Sequence, residues 1–421
     1  MDNKYDSNII GIDLGIINSY IGILRNNNIE IIPDPQTGEK RIPSIVCFKH
    51  SNECLIGRSA KNNMLEYPNL TISNSIKLLG LKFSDKIVQE DIKNLPVKII
   101  EDKKTGKPQY VIKIGNEEKK YFPEDITSMI LNYLKGIAEI FNSNKEINKV
   151  IIAVPINFNN CQINDTINAS RKAGFKEIKI IYKPIAAAYS YINMIKLNKK
   201  KIILIFDLDK RSFNVSIVKI NNNNYNVFTY LDEENFGDDD FTQILIDYVI
   251  EIIKKDKKFK NIDFENKNNK KVIHILKRII KRVKEVKYEL LYEKESRLFI
   301  DNFYGIEDLI INIKRSEYEE ICIDLFNKCF KIVHDTIEKA KIKKEEIDEI
   351  ILVGNGTRTP KIKEMIEKFF NKKPLQKINP EEVVIYGTVL LGYQELNIET
   401  HIENYVKSDE LSLDHIDISF F

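Results

Sequence analysis

The chain contains the same strand–turn–strand pattern twice. In residues 8–24, NIIGIDLGIINSYIGIL, an apolar run ends at Asp13, and a second apolar stretch follows a short turn. In residues 201–218, KIILIFDLDKRSFNVSIV, an apolar run ends at Asp207, and an alternating stretch follows. Short apolar runs bounded by turn residues are typical of β-strands. Because the whole unit recurs, the sequence predicts two similar α/β lobes.

Composition restricts the class of protein. The 421 residues are enough for two or more domains with separate cores. With 43% hydrophobic and 30% charged residues, the sequence predicts a globular protein. The net charge of +3 is too small to indicate a nucleic-acid partner. We see no secretory signal and no apolar run near the roughly 20 residues that span a bilayer, so we expect a cytoplasmic protein without membrane association.

The five cysteines do not indicate a disulfide framework or a zinc site. Their number is odd, and none of them forms a CxxC pair. We therefore expect reduced thiols, as in cytosolic proteins.

The region between the two repeated units predicts further α/β structure. KVIIAVPINF (149–158) is typical of a strand, and QINDTINASRKAG (162–174) predicts a helix that ends at Gly174. Near the C-terminus, IDEIILVGNGTRTPKIKEMIEKFF predicts a strand, a glycine-containing turn and a helix from about Pro360.

Five stretches, in order along the chain, resemble the ATPase domain of the 70-kDa heat-shock chaperone family. These are GIDLGIINS, VPINFNNCQ, YKPIAAAYSY, IFDLDKRSFNVSI, and ILVGNGTRTPKI with INPEEVVIYG. The resemblance implies an α/β protein with the actin-like ATPase fold. Such a fold has two lobes, each a mixed sheet flanked by helices, and a cleft for Mg-ATP. We therefore expect Asp13 and Asp207 to face each other across one cleft.

The resemblance also implies domain boundaries. Lobe I covers residues 1–197 with an inserted subdomain at about 43–121, and lobe II covers 198–397 with one at about 238–316. Residues 398–421 form a linker-like tail. Within the second insertion, we interpret KKDKKFKNIDFENKNNKK as a solvated charge run.

The residues that perform chemistry in the family are partly replaced. Of the carboxylates around the metal, Asp13 and Asp207 remain as candidate metal ligands. Lys183 stands where the family has a glutamate that helps to place magnesium and the attacking water. Asn214 stands where it has an aspartate, and an amide cannot act as a base at neutral pH. Because magnesium prefers oxygen ligands held by carboxylates, the sequence disfavours Mg²⁺ here.

The phosphate loops also depart from the family. Ile16 and Ile17 replace two threonines, and neither can hydrogen-bond to a phosphate. The glycines of the second loop have become Asp209, Lys210 and Arg211. Asp238 replaces a glycine in a third phosphate-contacting turn.

Other nucleotide positions of the family are retained. Lys77 matches its catalytic lysine, Lys287 a ribose-side lysine, and Arg358 the arginine that covers adenine. Tyr288 stands where the family has another stacking arginine, and it is either a base-stacking ring or a half-buried helix residue. The positions implied to contact ATP or ADP are Asp13, Gly15, Lys77, Asp207, Ser212, Gly237, Lys287, Gly354 and Arg358.

Two functions remain open. The first is a pseudo-ATPase that binds partner proteins, with chaperones or co-chaperones as candidates. Its candidate nucleotides are ATP and ADP, bound without efficient hydrolysis. The second is a functional ATP-hydrolysing chaperone-type ATPase. A sugar kinase of the same fold is disfavoured by the order of the motifs. We find no peptide-binding domain in the sequence, and Ile163 replaces an arginine that contacts J-domain partners in the family. We therefore expect no client-refolding cycle.

Overall fold

The structure, a computed structural model, describes residues 8–26, 28–50, 53–191, 200–221, 224–266 and 269–396. The predicted tail at 398–421 lies outside the described residues. The described residues divide into two compact units. Unit 1 contains those up to 191 together with those from 382 onward, and unit 2 contains those from 200 to 381. The predicted lobe boundaries remain a prediction.

Unit 1 is a mixed α/β structure. Its strands are β1 (Ile9–Asp13), β2 (Asn18–Arg25), β3 (Asn28–Ile32), β4 (Ile42–Pro43), β5 (Val46–His50), β6 (Glu53–Ile56), β7 (Thr71–Ile72), β8 (Lys98–Glu101), β9 (Pro108–Ile114), β10 (Glu117–Tyr121), β11 (Lys149–Val154) and β12 (Glu177–Tyr182). Its helices are α1 (Arg58–Asn63), α2 (Lys86–Asn94), α3 (Pro123–Phe141), α4 (Asn160–Lys172), α5 (Lys183–Ser190) and, from the end of the described chain, α11 (Val383–Leu396).

The central sheet of unit 1 has the order β12-β11-β1-β2-β3, and β4 pairs with β2. β1 and β12 both run parallel to β11, while β2 is antiparallel to β1. On one face, a core cluster combines residues such as Ile10 and Ile12 of β1 with Ile130 of α3 and Ala169 of α4. On the other face, α11 contacts β1, β2, β11 and α5. The carboxyl ends of β1 and β12 therefore lie at the same edge of one buried sheet.

Unit 2 repeats the strand–turn–strand unit. Its strands are β13 (Lys201–Leu208), β14 (Ser212–Asn221), β15 (Asn224–Glu234), β16 (Glu295–Phe303), β17 (Glu307–Lys314) and β18 (Glu349–Val353). Its helices are α6 (Asp238–Lys255), α7 (Lys270–Glu289), α8 (Arg315–Ile321), α9 (Ile323–Lys339) and α10 (Pro360–Phe370). One sheet has the order β15-β14-β13-β18, with β14 antiparallel and β18 parallel to β13. β16 and β17 form a separate two-stranded ribbon.

The structure confirms the secondary structure that was predicted for the motif-bearing stretches. The two repeated units form the antiparallel pairs β1–β2 and β13–β14. The predicted helix at 162–174 is α4, after which Gly174 adopts a φ of 89°. α10 begins at Pro360, as the proline at the first helical position indicates. Local sequence therefore dictates these elements.

Small residues allow α11 to lie directly against α5. The helix α5 carries the run Ala186–Ala187–Ala188, and all three residues are buried. A Cβ atom added to Gly387 of α11 would lie 1.7 Å from the backbone oxygen of Ala186. This close approach fixes α5 against the unit 1 sheet, and Lys183 is the first residue of that helix.

We predict that Gly387→Ala destabilises the protein, although alanine is intrinsically the better helix residue. The added methyl group has no room against α5, and such overpacking typically costs about 1–3 kcal/mol. Gly136→Ala in α3 is the matched control, because nothing lies within 4 Å of its added Cβ atom. It should gain stability by up to about 1 kcal/mol through helix propensity alone. Urea unfolding of both variants tests this, and a stabilising Gly387→Ala would contradict the described packing.

Candidate nucleotide site

The site predicted in unit 1 contains an ion pair at the sheet edge. Asp13 ends β1, and Lys183 follows β12 directly as the first residue of α5. The parallel pairing of both strands with β11 brings these two positions together, although they are far apart in sequence. Lys183 Nζ lies 2.9 Å from Asp13 Oδ1. Asp13 is 8% exposed, and the Lys183 side chain is 19% exposed. The lysine therefore neutralises the carboxylate that was predicted to serve the metal.

This contact is a charge pair rather than a well-aligned hydrogen bond. Within the described residues, Asp13 Oδ1 has no aligned hydrogen-bond donor, even though the ammonium lies 2.9 Å away. Coulomb attraction does not depend on donor alignment, so the short distance between the charges is enough for strong attraction. A divalent cation at this oxygen would have to displace Lys183 or accept it as a neighbouring like charge. The residues present at Asp13 therefore do not fit a magnesium ion.

In the first phosphate-loop region, the backbone of Gly15 forms hydrogen bonds with two serine side chains. The Gly15 backbone N–H donates to Ser19 Oγ over 3.3 Å, and the Ser44 hydroxyl donates to the Gly15 carbonyl over 2.7 Å. A Cβ atom at Gly15 would lie 2.0 Å from the Asn18 carbonyl oxygen. The turn itself thus requires this glycine, whether or not a phosphate binds. Ile16 is 37% exposed, so an apolar side chain projects where the family has a hydroxyl.

Lys77 is also paired with a carboxylate. It lies in a short 3₁₀ segment, Ser75–Leu78, and its Nζ donates to Asp91 Oδ1 of α2 over 3.0 Å. The buried Asn74 amide donates to the other oxygen of Asp91, and the Tyr110 hydroxyl donates to Asn74 Oδ1 over 3.1 Å. The presumed catalytic lysine is therefore part of a hydrogen-bonded network. Sequence reasoning missed Asp91, because no motif marks it.

In unit 2, the turn between β13 and β14 forms hydrogen bonds with the first residues of α6. The Asp209 N–H donates to the Ser212 carbonyl over 3.0 Å, so Lys210 and Arg211 form the tip of a tight hairpin. The N–H groups of Asp238 and Asp239 donate to the carbonyls of Asp209 and Lys210, each over 2.9 Å. Backbone N–H groups at a helix start are the usual ligands of an anion. Here these two already have partners within the chain.

Gly237 is required by this hairpin contact. A Cβ atom at Gly237 would lie 2.6 Å from the Asp209 carbonyl oxygen and 2.7 Å from the Arg211 nitrogen. The Gly237 N–H donates to Asp240 Oδ2 over 2.7 Å. The glycine retained at this predicted phosphate position is therefore explained by packing within unit 2.

The charges at this helix start oppose a phosphate. Asp238, Asp239 and Asp240 all lie in the first turn of α6, where they interact favourably with the helix dipole. Lys287 Nζ donates to Asp238 Oδ1 over 2.6 Å, to the Asp238 carbonyl over 2.8 Å, and to Thr242 Oγ1 over 2.9 Å. Because Lys287 is only 7% exposed, its ammonium is satisfied inside unit 2. The predicted ribose lysine thus pairs with the acid that replaced a family glycine.

The remaining metal-side positions lie in one cross-strand row. Asp207 of β13 is directly opposite Asn214 of β14, which is opposite Asp232 of β15. Side chains in directly opposite positions point to the same face of a sheet. The Asn214 amide oxygen accepts a hydrogen bond from the Ser216 hydroxyl. Ser212, at the start of β14, is exposed. Nothing described in unit 2 makes Asn214 able to act as a base.

Metal-ligating groups cluster elsewhere in the described part of the chain. There, only His334, Asp335 and Glu338 place three such side-chain atoms within 4.8 Å of one another. These residues share the surface of α9, and none of them was predicted as a ligand. Asp13 and Asp207 do not belong to this cluster.

The adenosine end of the sequence pattern forms a connected cluster in unit 2. Arg358 Nη2 donates to Asn379 Oδ1 over 2.6 Å, and Nη1 donates to the Tyr292 hydroxyl over 3.2 Å. Gly354 has a φ of 85° and donates its N–H to the Pro380 carbonyl over 3.0 Å. A Cβ atom there would lie 2.3 Å from the Leu208 carbonyl oxygen, so this glycine is also needed for packing.

Two exposed tyrosines extend this cluster. Tyr288 is 54% exposed, which is contrary to its interpretation as a half-buried residue, and Tyr292 is 60% exposed. Their ring centroids lie 5.6 Å apart at 65°. The hydrogen bond between the two hydroxyls raises the pKa of Tyr288 and lowers that of Tyr292, and the positive charge of Arg358 also lowers the Tyr292 pKa. Two rings beside a guanidinium can stack on a flat heteroaromatic ligand.

Sequence reasoning did not identify Tyr292. It lies four residues after Tyr288, in the turn that follows α7. A spacing of four residues would place two side chains on one face if the helix continued. That spacing was the available signal.

Comparison with known families supports the resemblance found in the sequence. A sequence model described as Hsp70 protein matches residues 9–396 of the 421. The match covers both units. Within the described residues, no helix is both long enough and apolar enough to cross a bilayer.

We predict strong energetic coupling between Asp13 and Lys183. Either Asp13→Asn or Lys183→Met leaves one largely buried charge without its partner, and each should cost about 2 kcal/mol of unfolding free energy. The double variant should lose less than the sum, with a coupling of about 1–3 kcal/mol. The control cycle uses Lys149 and Glu177, a pair at 2.9 Å whose glutamate is half exposed, and its coupling should stay below about 1 kcal/mol. Additive losses at Asp13 and Lys183 in urea unfolding would show that the pair does not exist in solution.

Proposed function

The chain belongs to the Hsp70 protein family, and on that premise we propose that it is a pseudo-ATPase. The family consists of ATP-binding chaperones, and membership gives this chain the actin-like ATPase fold. In our proposal, the protein binds partner proteins, and nucleotide where present, without efficient hydrolysis. Chaperones or co-chaperones are the candidate partners, and the cytoplasm is the proposed compartment.

The ion pair between Lys183 and Asp13 carries this proposal. Hydrolysis in phosphoryl-transfer enzymes depends on metal-stabilised phosphates and an oriented water. Lys183 contributes a positive charge where the family has a metal-side carboxylate, and it lies 2.9 Å from Asp13. Asn214 removes a second carboxylate. In our proposal, these replacements weaken the metal site and remove the candidate base.

Nucleotide binding is a separate matter from hydrolysis. Lys77, Lys183, Lys287 and Arg211 each lie within 3.5 Å of a carboxylate oxygen of the chain. A phosphate group would have to compete with those carboxylates, so we expect phosphate contacts to add little affinity. Arg358 and Tyr288 are better placed to contribute, because they can stack on adenine. We propose ATP or ADP as weak ligands that bind without a requirement for Mg²⁺.

We predict that the purified full chain releases no phosphate from ATP above a matched blank. Lys183→Glu should remain inactive, because Asn214 still cannot accept a proton. Phosphate release is followed in the presence of magnesium. Turnover that disappears in Lys77→Ala would refute the pseudo-ATPase proposal and favour the functional ATPase, with another carboxylate acting in place of the missing ones.

We also predict that magnesium does not strengthen nucleotide binding. Calorimetric titration with ATP or ADP should give an affinity in magnesium that is equal to or weaker than that in EDTA, because Lys183 already neutralises Asp13. Lys183→Glu should restore part of the magnesium preference. Lys176→Glu is the matched control: it makes the same charge change at an exposed position.

A tenfold tightening by magnesium in the unmodified protein, about 1.4 kcal/mol, would contradict this second prediction. If neither condition gives binding, the role of the protein is restricted to its partners. In that case the proposed adenine contacts of Arg358 and Tyr288 would be wrong.

A further inference from the structure

One face of α7 carries five exposed basic residues and continues to the exposed Tyr288 at the end of the helix. Lys270, His274, Lys277, Lys281 and Lys284 follow one another at spacings of four, three, four and three residues, and all five are exposed. This spacing aligns them along one side of a helix. We call them the α7 basic stripe. It spans about 21 Å at 1.5 Å per residue. The opposite side of α7 is apolar and buried in the unit 2 core, through Val272, Ile275, Ile279, Val283 and Val286.

The stripe is not neutralised by its surroundings. Among the described residues, none of its five members has an acidic partner, a hydrogen bond or a ring contact through its side chain. Its neighbours do have partners. Arg278 pairs with Asp301, and Arg282 lies 2.8 Å from Glu285 and 3.2 Å from Glu289.

The nearby acids therefore interact with the flanks of α7 and leave the four lysines of the stripe as a local line of positive charge. From the sequence, we interpreted residues 254–271, which include the start of the stripe, as a solvated charge run. The other four residues of the stripe lie beyond that run, and the structure aligns all five on α7. Sequence inspection did not identify this alignment.

The chemistry of the stripe favours an acidic polypeptide over a nucleic acid. Arginines, which bind phosphate bidentately, are absent from it, and the two on α7 are held in ion pairs. Between Lys270 and Lys284 it has no aromatic ring on which bases could stack, and Tyr288, one helix turn beyond Lys284, packs against Tyr292. The net charge of the chain is only +3, so the long-range attraction for a polyanion is weak.

A membrane surface fits less well still. Amphipathic helices that bind membranes insert their apolar face into the bilayer. The apolar face of α7 is already buried within unit 2.

We propose that the α7 basic stripe docks an acidic helical segment of a partner protein. A helix with glutamates at spacings of three and four residues has the same pitch of about 5.4 Å as α7. Its carboxylates would therefore meet successive cations of the stripe in register. Each of these ion pairs is exposed and therefore weak, so binding needs several of them together. The affinity decreases as the salt concentration rises. This inference does not depend on the proposed loss of ATPase activity.

The test is fluorescence anisotropy with the full chain and a labelled helical peptide of about 18 residues, roughly 27 Å long. Its glutamates occupy one face at spacings of three and four residues. A second peptide has the same composition with the glutamates distributed around the helix, and a single-stranded oligonucleotide of equal charge is the third probe. We expect the one-faced peptide to bind most tightly, and its binding to weaken as salt increases.

Variants assign the binding to the stripe. Lys277→Glu with Lys281→Glu should weaken peptide binding by at least about tenfold. Lys98→Glu with Lys103→Glu reverses two exposed lysines of unit 1, makes the same change in net charge, and should leave the affinity unchanged. Equal weakening by both double variants, preference for the oligonucleotide, equal binding of both peptides, or no peptide binding at low salt would each overturn the proposal. ATP turnover, measured in parallel, tests the pseudo-ATPase separately.

Discussion

The ion pair between Asp13 and Lys183 determines how the buried charge at the edge of the unit 1 sheet is balanced. A buried carboxylate at the end of a strand needs a cation, since an uncompensated buried charge costs several kcal/mol. In the family to which the chain belongs, the resemblance assigns that cation role to a hydrated metal. In this chain the cation is a covalently attached side chain, 2.9 Å away and one residue beyond β12. The lysine therefore balances the buried charge of Asp13 from within the chain.

At other predicted nucleotide positions, charged and polar groups also have partners within the chain. Lys77 contacts Asp91, and Lys287 contacts Asp238. The first N–H groups of α6 donate to the hairpin carbonyls. Each of these contacts lies within one unit. Glycines that remain at family positions, such as Gly15 and Gly237, are also needed by local packing. Their retention is therefore not by itself evidence for a working phosphate site.

The sequence predicted the local elements well because their causes are local. Apolar runs that end in Asp-Leu gave β1 and β13, and Pro360 marked the start of α10. The reversal of charge at Lys183 was also visible in the motif. Its partner was not, because only the parallel pairing through β11 brings Lys183 beside Asp13. Asp91 was missed for the same reason, since a carboxylate on a helix gives no sign of which lysine it will contact.

Because Lys77 and Lys287 are neutralised by carboxylates of the chain, the stability of the protein does not depend on a ligand to balance these charges. A ligand that binds only the folded state stabilises it in proportion to the logarithm of the ligand concentration. A protein whose buried charges are balanced by its bound nucleotide thus becomes less stable when nucleotide is scarce. Here the carboxylates of Asp91 and Asp238 belong to the protein itself. They form ion pairs with Lys77 and Lys287 whether or not a ligand is present. The folded scaffold would then be equally available to its partners in energy-rich and energy-depleted cells.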